Sequence, residues 1–179
     1  MSKGMGVLVV LNDEISAARD VTKGNTYRMN TFVSREMGPL GYADSDRIAY
    51  YRKPIYRHTK SSEFDVDTID ELPRVDVTYA YQESDAVAID AFVDADAKGL
   101  VLTSTAKIAD QIKAAQDKGV VIVKSDRKGS GRVVESERQA EKGIVTSDNL
   151  NPQKSRILLR LALTKTTDPK EIQRMFNEY

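Results

Sequence analysis

The stretch Gly99-Leu-Val-Leu-Thr-Ser-Thr-Ala-Lys-Ile-Ala-Asp-Gln-Ile-Lys-Ala-Ala-Gln-Asp-Lys-Gly-Val-Val-Ile-Val123 decides the fold. Gly99–Leu102 reads as a short strand. Ala106–Lys118 then changes period and puts Ile108, Ala109, Ile112 and Ala115 on one helical face. Gly119 stands where a helix commonly ends on a left-handed residue. Val120–Val123 is four consecutive apolar residues, the pattern of a central parallel strand buried on both faces.

The same alternation extends in both directions. Val75–Tyr81 is strand-like, and Asp85–Ala97 places Val87, Ala88, Ala91, Phe92 and Ala95 on one helical face. Gly143–Thr146 is a fourth short strand. Asn151-Pro152 is an N-cap followed by proline at the first helical position, and the helix behind it runs through Ile157, Leu158, Leu161 and Ala162. Asp168-Pro-Lys-Glu171 has the spacing of a capping box and opens a last short helix. The expected fold class is α/β: over residues 73–179, a small four-stranded parallel sheet flanked by helices. Its expected core is Val77, Phe92, Val101, Ile112, Val121, Val123, Ile157, Leu158 and Leu161.

The first part reads differently. Val7–Leu11 is a continuous apolar run ending at Asn12-Asp13, and predicts a buried strand, parallel because both faces are apolar. Residues Glu14–Asn30 lack a clean period. Thr31–Arg35 is a short extended segment, Gly38-Pro-Leu-Gly41 is a turn cluster, and Arg47–Arg52 suits a half-exposed hairpin strand. The polar stretch 61–72, bounded by Pro73, reads as a linker. The expected organisation is 1–60 as a strand and hairpin piece, 61–72 as linker, and 73–179 as the α/β domain.

Composition narrows the function classes. Lys plus Arg and Asp plus Glu each number 27, so the net charge is zero. No basic stripe points to nucleic acid or an anionic membrane. No apolar run approaches the roughly 20 residues of a membrane span. With no cysteine and one histidine, thiol chemistry and a His- or Cys-based metal site are excluded, and no cofactor is expected. Met-Ser-Lys-Gly-Met-Gly lacks a secretory leader pattern, so the chain reads as cytoplasmic.

Two stretches carry a family resemblance. Gly6-Val-Leu-Val-Val-Leu-Asn-Asp-Glu-Ile-Ser-Ala-Ala-Arg-Asp-Val-Thr-Lys23 and the tail from Leu150-Asn-Pro-Gln-Lys-Ser-Arg156 to Asp168-Pro-Lys-Glu-Ile-Gln-Arg-Met-Phe-Asn-Glu-Tyr179 resemble the second half of a bacterial type II L-asparaginase/glutaminase-asparaginase. The resemblance implies the end of a large N-terminal α/β domain, then a complete small C-terminal domain. It implies hydrolysis of the Asn or Gln side-chain amide. That chemistry needs an activated hydroxyl, a base and an oxyanion site. The family's Thr-Gly-Gly-Thr and Gly-Thr-Asp motifs do not occur in these 179 residues. The expectation is therefore a C-terminal portion of such an amidohydrolase, inactive alone. The alternative is a stand-alone, non-catalytic module for oligomerisation or for binding a small carboxylate or amide.

The site candidates follow from this. Thr103 and Thr105 sit at a strand's C-terminal end, where catalytic hydroxyls gather in α/β folds. They also read as an N-cap for the Ala106–Lys118 helix. In the resembled family the small domain lends an Asn from a Gly-rich loop and a Glu from the loop before the Gly-Ile-Val strand. The Asn loop is deleted here. The second loop, Val134-Glu-Ser-Glu-Arg138, offers Glu135 and Glu137, while the spacing to Gly143 matches Ser136. Gly129-Ser-Gly131 reads as a plain turn, and His58 as a structural surface residue. The expected partner is a second copy, making a dimer or larger species that covers Val7–Leu11, or the family's N-terminal half.

Overall fold

Asn12 and Asp13 set the course of the first sheet. In the computed structural model, which describes residues 2–179, both adopt positive φ, 49° and 63°. Two consecutive left-handed residues make the tight turn whose twist matches a β-hairpin. Leu8–Leu11 (β1) accordingly folds back antiparallel on Glu14–Ala17 (β2), with Leu11 opposite Glu14 and Leu8 opposite Ala17. The expectation of a buried parallel strand at Val7–Leu11 is thus corrected. β1 is an antiparallel edge strand, with Val10 56% exposed and Val7, just before it, 67%. Glu14–Asn30, where no period was legible, supplies β2 and Thr22–Lys23 (β3), which pairs with Phe32–Val33 (β4). Gly41–Ala43 (β5) and Ile48–Tyr50 (β6) complete a four-stranded sheet in the order β1-β2-β5-β6.

The chain divides into two units, one ending at Glu63 and one spanning Phe64–Tyr179. The first has a small core of Met5, Ala17 and Leu40, joined by half-buried Leu8 and Tyr50. Arg19 stacks on the Tyr56 ring at 3.7 Å. His58 opens the short 3-10 turn Thr59–Ser61, with its backbone N–H on Ser61 Oγ and its Nδ1 3.1 Å from Thr59 Oγ1.

The second unit is the expected parallel sheet. Val75–Thr78 (β7), Gly99–Leu102 (β8), Val121–Lys124 (β9) and Ile144–Thr146 (β10) align in the order β10-β9-β8-β7, every pair parallel. Alternation along the strands divides the interior in two. Val75, Val101, Val123 and Val145 pack with Leu158, Leu159, Ile172 and Phe176. Leu100, Leu102, Ile122 and Ile144 pack with Ile89, Ile112 and Ala115. Pro152–Ala162 (α4) and Pro169–Glu178 (α5) therefore cover one face, and Val87–Asp94 (α1) and Ala109–Asp117 (α2) the other. A fifth helix, Glu137–Glu141 (α3), precedes β10. Gly99 lets α4 pack close to β8: a Cβ there would lie 2.7 Å from Leu159 Cδ2, which would have to move. Gly119, at φ 82°, ends α2 as its position predicts.

Several local expectations change. α1 buries Ile89, with Phe92 and Val93 partly buried, and leaves Val87 68% exposed. The larger side chains remove more apolar area from water than the alanine-rich face first read from the sequence. In α4, Ile157 is 48% exposed, and Leu159, 0% exposed, takes the central place. Val77 and Leu161 lie at the margin of their core. Asp168 caps α5 through Lys170 N, but the reciprocal half of the capping box is absent: Thr166 Oγ1 takes the Asp168 N–H, and Glu171 binds Arg174. Asn151 caps α4 as expected, accepting from Lys154 N at 2.9 Å. No helix among the described residues is long and apolar enough to cross a membrane.

Candidate functional site

Parallel strands deliver their following loops to one edge of the sheet, and there the second unit opens a cleft. It begins at the loop after β8 and the end of β9, runs between α2 and α3 to Ile144 at the start of β10, and has a volume of about 1030 Å³. Thr103 leaves β8 and is fixed at once: its N–H donates to Thr78 O at 3.2 Å and its Oγ1 accepts from Ala80 N at 2.8 Å. Ser104 Oγ accepts from Ala106 N. Lys107 turns the chain at φ 64°, and only then does α2 begin, at Ala109.

That sequence of bonds corrects the N-cap expectation for Thr103 and Thr105. The residue in the cap position is Ile108, which makes no side-chain cap bond. The Thr103 hydroxyl is engaged by the β7–α1 loop, and the left-handed turn at Lys107 delays the helix. The far wall is held by Gln116, whose Nε2 donates to Lys142 O at 2.7 Å and Gly143 O at 3.3 Å, joining α2 to the end of α3. Ser136 precedes α3, with its Oγ on Gln139 Oε1 at 3.0 Å.

Thr103 and Thr105 both line this cleft, and Ser136 joins them from the loop before β10. Glu135 and Glu137 flank Ser136 but are exposed and lie outside the lining. A hydroxyl becomes a nucleophile only beside a base. Glu141 is the acid among the lining residues, and it is exposed. Among the described residues no cluster of His, Asp and Glu is arranged to hold a metal ion. Gly129-Ser-Gly131 is a turn with both glycines at positive φ.

Sequence reading missed the basic side chains of this cleft: Lys107, Lys124, Arg138 and Lys142. A signal for them existed. Arg138 and Lys142 are four apart and fall on one helical face. Lys124 ends one parallel strand, and Lys107 follows its neighbour, so the α/β topology brings both to the same edge.

Comparison with known proteins covers nearly the whole chain. The family described as "Glutaminase/Asparaginase C-terminal domain" matches residues 74–176, and that described as "Asparaginase, N-terminal" matches residues 1–56. L-asparaginase 2 of Bacillus subtilis is 47% identical over 99% of this chain and 49% of its own length. The glutaminase-asparaginase of Pseudomonas fluorescens is 39% identical over 99% of this chain and 51% of its own. The crystal structure of a probable cytoplasmic L-asparaginase from Campylobacter jejuni superimposes with a TM-score of 0.94 at 38% identity, over 99% of this chain and 59% of that one. The chain thus spans about half the length of the curated relatives it matches. With its C-terminal domain matched along more than half of its residues, the chain belongs to the glutaminase/asparaginase family.

Proposed function

We propose that this chain supplies the C-terminal portion of an L-asparaginase/glutaminase-type amidohydrolase and does not hydrolyse amides by itself. The intact reaction converts the side-chain amide of Asn or Gln to the acid and ammonia. One observation carries the reading. The similarity runs along 99% of the chain but half of the relatives, and the 179 residues contain neither Thr-Gly-Gly-Thr nor Gly-Thr-Asp. The nucleophile then comes from a complementary N-terminal portion. Thr103 and Thr105 in the cleft, with Glu135 and Glu137 beside it, are this chain's candidates for reaching a substrate held there. The partner is that complementary portion or a second copy. Val10 and Leu11, exposed on an edge strand, and Val7 just before it are apolar surface such a partner would cover. The compartment proposed is the cytoplasm.

Ammonia release from Asn and from Gln tests this, with the chain alone and with the N-terminal portion of a full-length relative added. The chain alone should show no turnover, because losing a nucleophile and its base removes on the order of 10⁴ or more in rate. Steady turnover by the chain alone, lost in Thr103→Ala or Thr105→Ala, would place a complete active site in the cleft and overturn the proposal.

A further inference from the structure

We infer that the cleft beyond β8 and β9 binds a compact small-molecule anion carrying two or more negative charges on phosphate or carboxylate groups. The inference stands on the charge and shape of the cleft and not on the amidohydrolase reading.

The first observation is local charge. The chain as a whole is balanced, 27 basic against 27 acidic residues, yet the cleft is lined by five basic residues and one acidic, Glu141. Lys113 is paired with Asp117 of its own helix. Lys107, Lys124, Arg138 and Lys142 have no acidic partner among the described residues. Elsewhere in this unit cations do find acids: Arg74 with Asp76, Lys98 with Asp96, Arg132 with Asp148, and Arg174 with Glu171 and Glu178. Arg127, Arg156 and Arg160, outside the cleft, donate to backbone carbonyls instead, so what sets the cleft apart is four such cations lining one space.

The second observation is convergence. A solvated charged face belongs to one helix, with like residues repeating along it. These four cations come from three separate segments: the loop after β8, the end of β9, and α3 with its C-cap residue. Lys124 is half-buried and the other three are exposed, and like charges gathered along a concave surface raise the local concentration of a counter-anion. The hydroxyl-bearing residues Ser104 and Thr105 line the same space. Ala109, the first residue of α2, lines it too, and no side chain caps that helix end.

Size and balance set the ligand class. The volume, about 1030 Å³, suits a small molecule. Zero net charge over the chain disfavours a long polyanion such as nucleic acid, which needs an extended basic footprint. Lysines bind oxyanions as point charges, and Arg138 adds a planar fork that suits phosphate and carboxylate alike.

The test is calorimetric titration of the full 179-residue chain at neutral pH and fixed ionic strength, with inorganic pyrophosphate in one arm and citrate in the other. At least one should bind with Kd below about 1 mM. That Kd should weaken about tenfold or more in Arg138→Gln/Lys142→Gln and in Lys107→Gln/Lys124→Gln. The surface pair Lys98→Gln/Lys118→Gln should leave it unchanged. Binding of pyrophosphate alone assigns a phosphate-bearing ligand, and of citrate alone a polycarboxylate. A readout that needs no variant is the backbone amide NMR spectrum, in which shifts should concentrate at Thr103–Ala109 and Ser136–Lys142. Absence of binding in both arms, equal weakening by the surface pair, or shifts centred elsewhere would overturn the inference.

Discussion

The two units of this chain bury apolar side chains to very different degrees. The second holds thirteen buried residues on one side of its sheet and ten on the other. The first buries five, Met5, Ile15, Ala17, Leu40 and Ala49, of which three form a cluster. Of the seventeen exposed large hydrophobic residues among those described, eleven fall in the shorter first unit, from Val7 to Ile55. Hydrophobic burial is the main favourable term in folding, worth about 25 cal/mol per Å². The second unit is therefore self-sufficient, and the first carries apolar surface that its own fold does not cover. The edges teach the same lesson. β10 ends the parallel sheet, but Gln173 closes it: its Oε1 accepts from Thr146 N at 2.7 Å and its Nε2 donates to Thr146 O at 3.1 Å. β1 ends the antiparallel sheet with Val10 and Leu11 exposed.

The largest effect should come from removing a core anchor in the second unit. Phe176 is 0% exposed and packs against Ile172, Met175 and the valines of the sheet. Phe176→Ala should lower unfolding free energy by about 3–5 kcal/mol, the range for emptying a buried aromatic site. Val10→Ala in the first unit, at a position 56% exposed, should change it by less than about 0.5 kcal/mol. Urea denaturation of both variants makes the comparison. Equal losses would show that the first unit's surface is buried in solution, in an assembly or against another segment.

The edge contrast gives a smaller effect. Gln173 is 6% exposed, and it satisfies both backbone groups of Thr146. Gln173→Leu keeps the volume and strands that N–H and C=O, so about 1–3 kcal/mol should be lost. Hydrogen exchange localises the loss: the Thr146 amide should exchange faster than those of β8 if the side chain guards the edge. Unchanged protection at Thr146 would mean that α5 covers β10 by packing alone.

How much of this was legible in the sequence followed the same division. The parallel sheet was readable because its strands, such as Val121–Val123, are apolar on both faces and separated by helices with terminal Asn, Pro and Gly. The helical faces were less so. Ile89 and Leu159 were passed over for Ala88 and Ile157, since small residues and a wide apolar stripe permit more than one face. β1 was misread because its four apolar residues resemble a central strand. The two-residue turn at Asn12-Asp13, a hairpin signal, outweighs that pattern through backbone geometry. The cleft was only half legible. Its threonines sit at a strand end, but its cations are scattered over residues 107–142 and meet only through the topology.

The smallest effect concerns the charged end of α5. Arg174 donates to Glu171 from Nε at 3.0 Å and Nη2 at 2.7 Å, and to Glu178 from Nη1 at 2.6 Å. The hydrogen bonds from Arg174, and then its charge, hold the Glu171 carboxyl below the ordinary carboxylate value; slight desolvation and the Glu178 charge act the other way. A carboxyl depressed in the folded state contributes stability above its unfolded value, and that contribution fades as pH falls through the folded value. Glu171 is half-exposed, so water and salt screen the pair and the acid-side loss should be slight. The carboxyl carbon shift of Glu171, followed by NMR from neutral to acid pH, should show the depressed midpoint. Arg174→Met should raise that midpoint, as should added salt. A midpoint indifferent to both would mean that the pair does not persist in solution. α5 would then be held by its place in the apolar layer and by the Gln173 clasp, with nothing from this pair.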